Sequence, residues 1–599
     1  MGVKIGLDNG TTNTVLSELT DVHRNRQGEI TSCRPAAFEF DFDGTQVNSI
    51  VVVDEDGEMR FGKDARDEVG DPGVRTFKGF KMLLSEEYRG NREMLEARGY
   101  SEEYDPSCIC RAFLNNVFTR YLENDAGGDG MIDALVVGVP AIWLSEKVNV
   151  PNRLELRRIL SSFDYIRENE KGEKNIFLYS EPDAACAYYT YNYRLRNKGK
   201  RYEGYVFIPD CGGGTLDFTL CEVKPHGDAD EIATIRRWGV GENTDREIGK
   251  AGIAFLEKVI LLAFERAGIP ADRASKEFNR AVYTLEKELI KRTRDVSGVF
   301  GAADGKAEAF DPFAVNPLAN TRSENRYAEK FCKLRLTEEV RAEISYAMLA
   351  EAYDAVIEPV LAEILGSVKK YLRKNGIDYL KNDRFNIVPV GGFCNFCLTQ
   401  KQIEEAFARD ELREDERFDL FREMPKDECE KAVAYGAALI ANEVVKIRQY
   451  APYSIGIGRG DSSTTRLEDL DRYCVIHEGD EILYDQPVYI RLADGKTRAG
   501  FTITGTIPIF FWGYEDENGQ IPDNQITWGR PLDRFSDQLK FDRDKIYHIG
   551  FSLDTSLVIT LHIEVCDNEG KLLADQPAPI RLDDIHSILG ALNIKGVEH

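Results

Sequence analysis

The sequence predicts an α/β protein of two related lobes followed by a separate, smaller β domain, and three observations predict it. Segments beginning at residues 3 and 205, VKIGLDNGTTNTVL and YVFIPDCGGGTLDFTL, each read as an apolar strand ending in Asp, a Gly/Thr turn and a second strand. Apolar spacing at three and four residues marks helices over 246–267, 277–294, 337–374 and 428–448, with strand runs at 134–140 and 385–392 between them, the alternation of sheets covered by helices. From Ala451 to about Cys566 the helical period disappears, and short runs such as PVYIRLA, AGFTITG, HIGFSLD and LVITLHIEV are separated by Asp, Gly and Asn turns. The expected division is 1–450 and 451–599.

Size and charge bound the function. A chain of 599 residues is too long for one core and suggests about three or four packing units. With 42% hydrophobic residues, 26 Tyr and 31 Phe, it has ample material to fold. Lys and Arg number 77 against 103 Asp and Glu, and the resulting charge of -26, with no concentrated basic patch, argues against nucleic acid and anionic membranes as partners. The start MGVKIGLDNG has no apolar signal core, Gly6 breaks the myristoylation pattern, and no run of about 18 uncharged apolar residues occurs, so a cytoplasmic location is expected. Twelve irregularly spread cysteines are then expected to be reduced.

The chemistry-bearing residues follow in chain order. In both hairpins a Gly or Thr turn lets backbone N–H groups approach an anion, and Thr hydroxyls add donors. Asp8, Asp210 and Asp217 beside these turns are hard oxygen ligands suited to hydrated Mg2+. One such turn is commonly just a hairpin; two in matched context point to phosphate binding. The G-x-x-x-x-G-K-[ST], dinucleotide and protein-kinase signatures are missing. Segment 298–326, rich in Gly, Ala, Asn and Pro, reads as a surface excursion, 458–465 as a loop, and the tail DDIHSILGALNIKGV as one short helix. Cys394 and Cys397 form a lone C-x-x-C, expected to be buried thiols, and the IPIFFW run at 507–512 reads as a core strand rather than an exposed surface.

These motifs, in this order, resemble the DnaK-type heat-shock chaperones within the actin, hexokinase and heat-shock ATPase superfamily. Asp8, Asn9, Gly10, Thr11, Thr12 and Asn13 resemble that family's first phosphate motif, and Asp210, Cys211, Gly212, Gly213, Gly214, Thr215, Leu216 and Asp217 its second. ALVVGVPA at 134–141 and Glu181-Pro182-Asp183-Ala184-Ala185 are similar to two further segments; Pro at a first helical position places the Glu181 carboxylate at a helix start. Glu288, Lys291 and Arg292 have the spacing of the helix that contacts adenosine and share one helical face, Gly391 and Gly392 resemble the adenosine glycine pair, and 432–438 the second connecting helix. The resemblance covers residues 1 to about 450. It implies an actin-like two-lobed ATPase domain binding ATP or ADP with Mg2+, the metal held mostly through water by Asp8, Glu181, Asp210 and Asp217. Lys81 aligns with the lysine that acts on the γ-phosphate, with Lys78 one turn away.

Departures accompany the matches. Phe393, Cys394 and Asn395 stand where the family has Ser, a small residue and the adenine-stacking Arg; Glu430 replaces an Asp; and the acidic, leucine-rich linker is not seen before Ala451. Beyond 451 the runs faintly resemble a peptide-binding β-sandwich, and a helical lid, which needs roughly a hundred residues, does not fit in the tail. The resemblance implies an ATP-dependent chaperone-like protein, a slow ATPase whose lidless β domain takes unfolded or extended peptide or one specific protein partner, with a co-chaperone or exchange factor as a further partner. The alternatives are a nucleotide-gated regulatory or adaptor protein with negligible turnover, a small-molecule kinase, and an actin-like filament protein.

Overall fold

The computed structural model describes residues 2–84, 92–124, 129–144, 150–240, 251–292, 296, 299–300, 329–407 and 426–582, apart from positions 171, 227–228, 274, 378, 380–383, 461–465, 485, 493, 504–506, 516–518, 537–538 and 555–556. Nearly all of the excursion expected at 298–326, the end of the loop at 458–465 and the helix expected after 582 lie outside the described residues. The chain divides into two units, Met1–Trp143 with Glu155–Ile447, and Leu144–Leu154 with Arg448–His599.

In the first unit, strands β1 (Val3–Asn9), β2 (Asn13–Arg24), β3 (Ile30–Ala37), β4 (Ile132–Val139) and β5 (Ile176–Ser180) build one sheet in the order β3–β2–β1–β4–β5, with a two-residue strand, Val47–Asn48, pairing the start of β2. The β1–β2 hairpin is antiparallel, whereas β1–β4 and β4–β5 are parallel. Leu135, Val136 and Val137 in β4 are all buried, as expected of a parallel strand covered on both faces. Helix α1 (Glu181–Arg196) leads to the second lobe. There β6 (Gly204–Cys211), β7 (Leu216–His226), β8 (Ala229–Val240), β9 (Phe385–Ile387) and β10 (Val445–Arg448) lie in the order β9–β6–β7–β8–β10. Each lobe is therefore founded on one antiparallel hairpin with a parallel strand beside its first member.

Helix α2 (Gly252–Arg266) buries Phe255, Val259 and Ile260 in the second-lobe core, and α3 (Lys276–Lys291) buries Phe278, Ala281 and Leu285 in the same core. Helix α4 (Ala432–Ala441) packs on both α1 and β1, at distances that tolerate only glycine. A Cβ on Gly436 would lie 1.6 Å from the Ala184 carbonyl oxygen, and one on Gly6 2.2 Å from the Ala438 nitrogen. Main chain against main chain fixes how this helix crosses its neighbours.

Two helical expectations change. Within 337–374, residues Arg341–Ser345 form a strand paired with Lys330–Arg335, and helix starts only at Tyr346, where the Ser345 side chain accepts from the Met348 N–H. Pro359 then sits in the first turn of a second helix, Glu358–Lys374, because its missing N–H is harmless there. Within 428–448, helix ends at Ala441; Glu443 adopts φ 62, and VKIR alternates buried and exposed as strand β10.

The second unit holds two antiparallel four-stranded sheets. One runs Asp471–Ile476, Ser454–Arg459, Ile509–Gly513, Ile526–Pro531; the other runs Val488–Tyr489, Ile546–Leu553, Ile559–Cys566, Ile580–Leu582. Phe510 of the first meets Phe551 of the second with ring centroids 5.5 Å apart, and Ile509, Phe510 and Phe511 are wholly buried, so the apolar run at 507–512 is core. No helix among the described residues is long and apolar enough to cross a membrane.

Candidate functional site

The first turn, residues 10–12, is tied down from outside. Ser49 Oγ donates to the Gly10 carbonyl at 2.7 Å, the Ser49 N–H donates to the Thr12 carbonyl at 2.8 Å, and Asn48 Nδ2 donates to Asn13 Oδ1 at 2.7 Å. Gly10 is required because a Cβ there would lie 2.1 Å from the Asn13 carbonyl oxygen. In the second turn the Gly212 N–H closes on the Thr215 carbonyl at 3.0 Å, and the start of α2 clamps it: Gly252 and Ile253 N–H groups donate to the Gly212 and Gly213 carbonyls at 3.2 and 2.8 Å. The two turns face each other. A Cβ on Gly213 would stand 2.4 Å from Thr12 Oγ1, and one on Gly214 2.6 Å from Thr11 Oγ1.

Below the turns lies a cluster of carboxylates. Asp210 and Asp217 are direct partners across the β6–β7 hairpin, so their side chains share a face, and Asp217 is fully buried. Strand β5 ends at Ser180, whose Oγ accepts from the Asp183 N–H at 3.1 Å; this cap and Pro182 start α1 and hold Glu181 at its mouth. Lys81 is 2% exposed and meets Glu181 Oε1 at 2.5 Å, with its ammonium 5.6 Å from the Trp143 ring centre. Burial, then Glu181, pushes the Asp8 carboxyl up to about 7 against the opposing pull of Lys81. Asp210 is driven well above the usual carboxylate range by burial, then by Glu181, Asp217 and Asp8. Such a cluster is short of positive charge and suits a divalent cation.

A cavity of about 320 Å3 opens over these groups. It brings together Asp8, Gly10, Thr11, Thr12, Asn13, Lys81, Glu181, Asp210, Gly212, Gly213, Gly214, Thr215, Gly391, Gly392 and Glu430 from segments spread over the whole first unit. Gly391 has φ +84, and a Cβ on it would stand 2.4 Å from Asp210 Oδ1, so glycine alone lets the loop after β9 reach the acidic cluster. Glu430 Oε2 accepts from Gln46 Nε2 at 3.0 Å. Asn395 closes a short helical turn after Gly392, but its side chain lies outside what is described.

Glu288, Lys291 and Arg292 are not brought to this cavity. Arg292 pairs with Glu288 at 3.0 Å, its guanidinium sits by the Phe331 ring and carbonyl, and Lys291 is exposed. The burial of Phe278, Ala281 and Leu285 fixes the rotation of α3, which gives Glu286, Leu289 and Ile290 to the cavity instead. Lys78 is separate from the acidic cluster. It lies 4.9 Å over the Tyr283 ring, with burial lowering its pKa to about 8 and Glu286 opposing that fall.

The far end of the cavity, apart from Glu286, is apolar and was not legible from motifs. Phe255, Leu256, Leu289, Val296, Phe393 and Phe396 line it, and Phe393 stacks on Phe396 with centroids 5.4 Å apart and planes at 17°. Phe255 closes on both rings at 5.5 and 5.1 Å. The only advance signal was the departure at 393–395, where Asn395 stands in place of the stacking Arg and Phe393 in place of Ser. Cys394 is buried, with its thiol directed at the Pro209 carbonyl, and Cys397 donates toward the Val296 carbonyl, so the C-x-x-C pair faces carbonyl groups.

Two hairpin-founded lobes, with facing Gly/Thr turns above a carboxylate cluster, define an actin-like α/β ATPase architecture carrying an additional β unit. No family model matches the chain. It is 26% identical over 471 residues, 77% of its length, to the chaperone protein DnaK of Elusimicrobium minutum (strain Pei191). The chain spans 62% of the length of that protein. It is thus distantly similar to the DnaK-type heat-shock chaperones.

Proposed function

We propose that this chain is an ATP-dependent, chaperone-like protein in which residues 1–450 bind and slowly hydrolyse ATP and residues 451–599 bind unfolded or extended peptide or one protein partner. The observation that carries the proposal is the facing of the two Gly/Thr turns over the buried carboxylates and Lys81. The residues fit Mg-ATP: the glycines leave room that a Cβ would fill, and Asp8 and Asp210 are charge-strained without a cation. Asp8, Glu181, Asp210 and Asp217 would hold Mg2+, largely through its waters, and the ion would neutralise charge on the phosphates. Backbone N–H groups of both turns, with the hydroxyls of Thr11, Thr12 and Thr215, would hold phosphate oxygens. Lys81 would stabilise the charge that develops on the transferring phosphoryl group, and the phenylalanine end of the cavity would take the base. The similarity to a chaperone supports peptide as the ligand of the β unit, a cytoplasmic setting, and a co-chaperone or exchange factor as partner.

The second reading is a nucleotide-gated adaptor with negligible turnover. The 2.5 Å Lys81–Glu181 ion pair favours it, because hydrolysis needs that ammonium free to reach phosphate. ATP turnover with and without a panel of unfolded peptides separates the two. Peptide-stimulated phosphate release supports the chaperone; ATP binding without measurable release supports the adaptor; no binding of Mg-ATP sinks both.

A further inference from the structure

The second unit contains a side-chain cluster unrelated to the cavity of the first. Three neighbouring strands of one sheet end together: Ser454 starts the middle strand, Cys474 lies near the end of Asp471–Ile476 on one side, and Glu515 follows Ile509–Gly513 on the other. Register fixes the alignment, with Ile455 opposite Ile476 and Ser454 opposite Gly513. A turn just past Ile476, with Gly479 at φ +85, folds His477 over the same end. One ligand atom from each of Cys474, His477 and Glu515 lies within 4.8 Å of the others.

The donors are oriented by groups around them. Ser454 Oγ, itself wholly buried, donates to Glu515 Oε1 at 2.5 Å, and His477 Nδ1 meets the same oxygen at 2.7 Å. The Glu478 N–H donates to Ser454 Oγ at 2.7 Å, the Glu515 N–H donates to Glu478 Oε2 at 2.9 Å, and the His477 N–H donates to Asp480 Oδ2 at 2.8 Å. Glu478 and Asp480 add negative charge next to the cluster without occupying its donor atoms. The His477 side chain is 53% exposed, whereas that of Glu515 is 15% exposed, so the cluster is reachable from solvent on the His477 side.

We propose that Cys474, His477 and Glu515 form a binding site for a borderline divalent cation of the zinc class, with a solvent molecule as fourth ligand. Sulfur, imidazole nitrogen and carboxylate oxygen together are the donor set of such a cation, and hard cations such as Mg2+ or Ca2+ would reject the thiolate. Binding releases the Cys474 thiol proton to solvent and forms a metal–sulfur bond, with no change of oxidation state. The cation joins the two outer strands across the start of the central one. Ser454 is a positioning residue that holds Glu515.

The test uses the full chain, stripped with a chelator and titrated with Co2+ and then Zn2+. One equivalent of Co2+ should bind with a thiolate-to-metal charge-transfer band, which Co2+ held by the carboxylates of the first unit would not give, and Zn2+ should displace it. Cys474→Ser should abolish the band. His477→Gln and Glu515→Gln should weaken binding, and Ser454→Ala should weaken it by about 10- to 100-fold, the usual effect of removing an orienting partner. Far-UV circular dichroism of each variant confirms that it folds. With eleven other cysteines to account for in a chain of 12, a band that survives Cys474→Ser in the folded variant overturns the proposal. So does failure of the wild-type chain to show the band. Because the readout is the metal spectrum, neither result depends on whether the first unit binds nucleotide.

Discussion

Replacing Asp8 with Asn should stabilise the ligand-free protein while removing its response to Mg-ATP. In the folded chain the Asp8 carboxyl sits at about 7 against an ordinary 3.8, raised first by burial and then by Glu181. A rise of about three in pKa corresponds to about 4 kcal/mol held against the ionised form. The folded carboxyl binds a proton that the unfolded one releases, so stability falls as pH climbs from about 4 to about 7 and is flat above. Asn removes that charge with little change in shape, so at pH 8 the variant should gain stability up to a ceiling of about 4 kcal/mol, and at pH 5 much less. Urea denaturation of wild type and Asp8→Asn at both pH values, without nucleotide or metal, measures this difference. Repetition with saturating Mg-ATP should narrow the difference, because the wild type alone regains a cation at the cluster; binding at 100 times Kd is worth about 2.7 kcal/mol. A variant less stable than wild type at pH 8, or one as strongly stabilised by Mg-ATP, would show that Asp8 does not belong to a cation-hungry cluster.

Four further outcomes follow from other positions. Lys81→Ala should retain ATP binding in a fluorescence titration but lower single-turnover hydrolysis by about 100-fold or more, the usual scale for losing one charge-stabilising donor; Lys78→Ala, whose ammonium lies over Tyr283, should leave the chemical step close to wild type. Phe393→Ala should weaken ATP by roughly 1–3 kcal/mol, the scale of one base–aromatic contact, with little change for inorganic triphosphate in the same competition assay. Gly436→Ala should lower the thermal midpoint sharply, at or beyond the usual 1–3 kcal/mol of overpacking, because its Cβ meets a main-chain carbonyl at 1.6 Å that no rotamer change relieves. Chelating divalent ions should abolish the ATP-induced thermal shift, and Mg2+ should restore it; a shift that persists in chelator would remove the metal from the site.

How much could be read in advance depended on whether the signal was local. The hairpins at 3–16 and 205–220 were legible because strand, turn and strand lie within sixteen residues of one another, and Asp8 precedes Gly10, as Asp210 precedes Gly212, by two residues. The cavity-lining face of α3 was not legible. Glu288, Lys291 and Arg292 have helical spacing, but spacing gives a face and not its direction. Direction is set by Phe278, Ala281 and Leu285 sinking into a core shared with β6, β7 and the helices after Ser345. The phenylalanine end of the cavity needs Phe255 to meet Phe393 and Phe396, a contact between distant parts of the chain that no local pattern encodes. Likewise a helix expected across 428–448 stops at Ala441, because Val445 and Ile447 add more as alternate buried residues on the edge of the second sheet than as a further turn.

The cluster in the β unit extends the same reasoning. Cys474 and His477 are separated by two residues, a spacing visible in the sequence, but a lone pair of donors holds no cation firmly and was not singled out. Strand register supplies the third donor, since Ser454 pairs with Gly513 and so brings Glu515 to the end where the Cys474 strand turns. A one-residue slip of Ile509–Gly513 against Ser454–Arg459 would reverse which face each side chain takes and would turn Phe510 away from Phe551 of the other sheet, which its ring now meets. The burial of Phe510 therefore fixes the register that positions Glu515. Phe510→Ala, in a protein that still folds, should loosen that register and weaken Co2+ binding although the residue donates no ligand. Unchanged Co2+ affinity in this variant would mean that the turn at His477, rather than the sheet, positions the carboxylate.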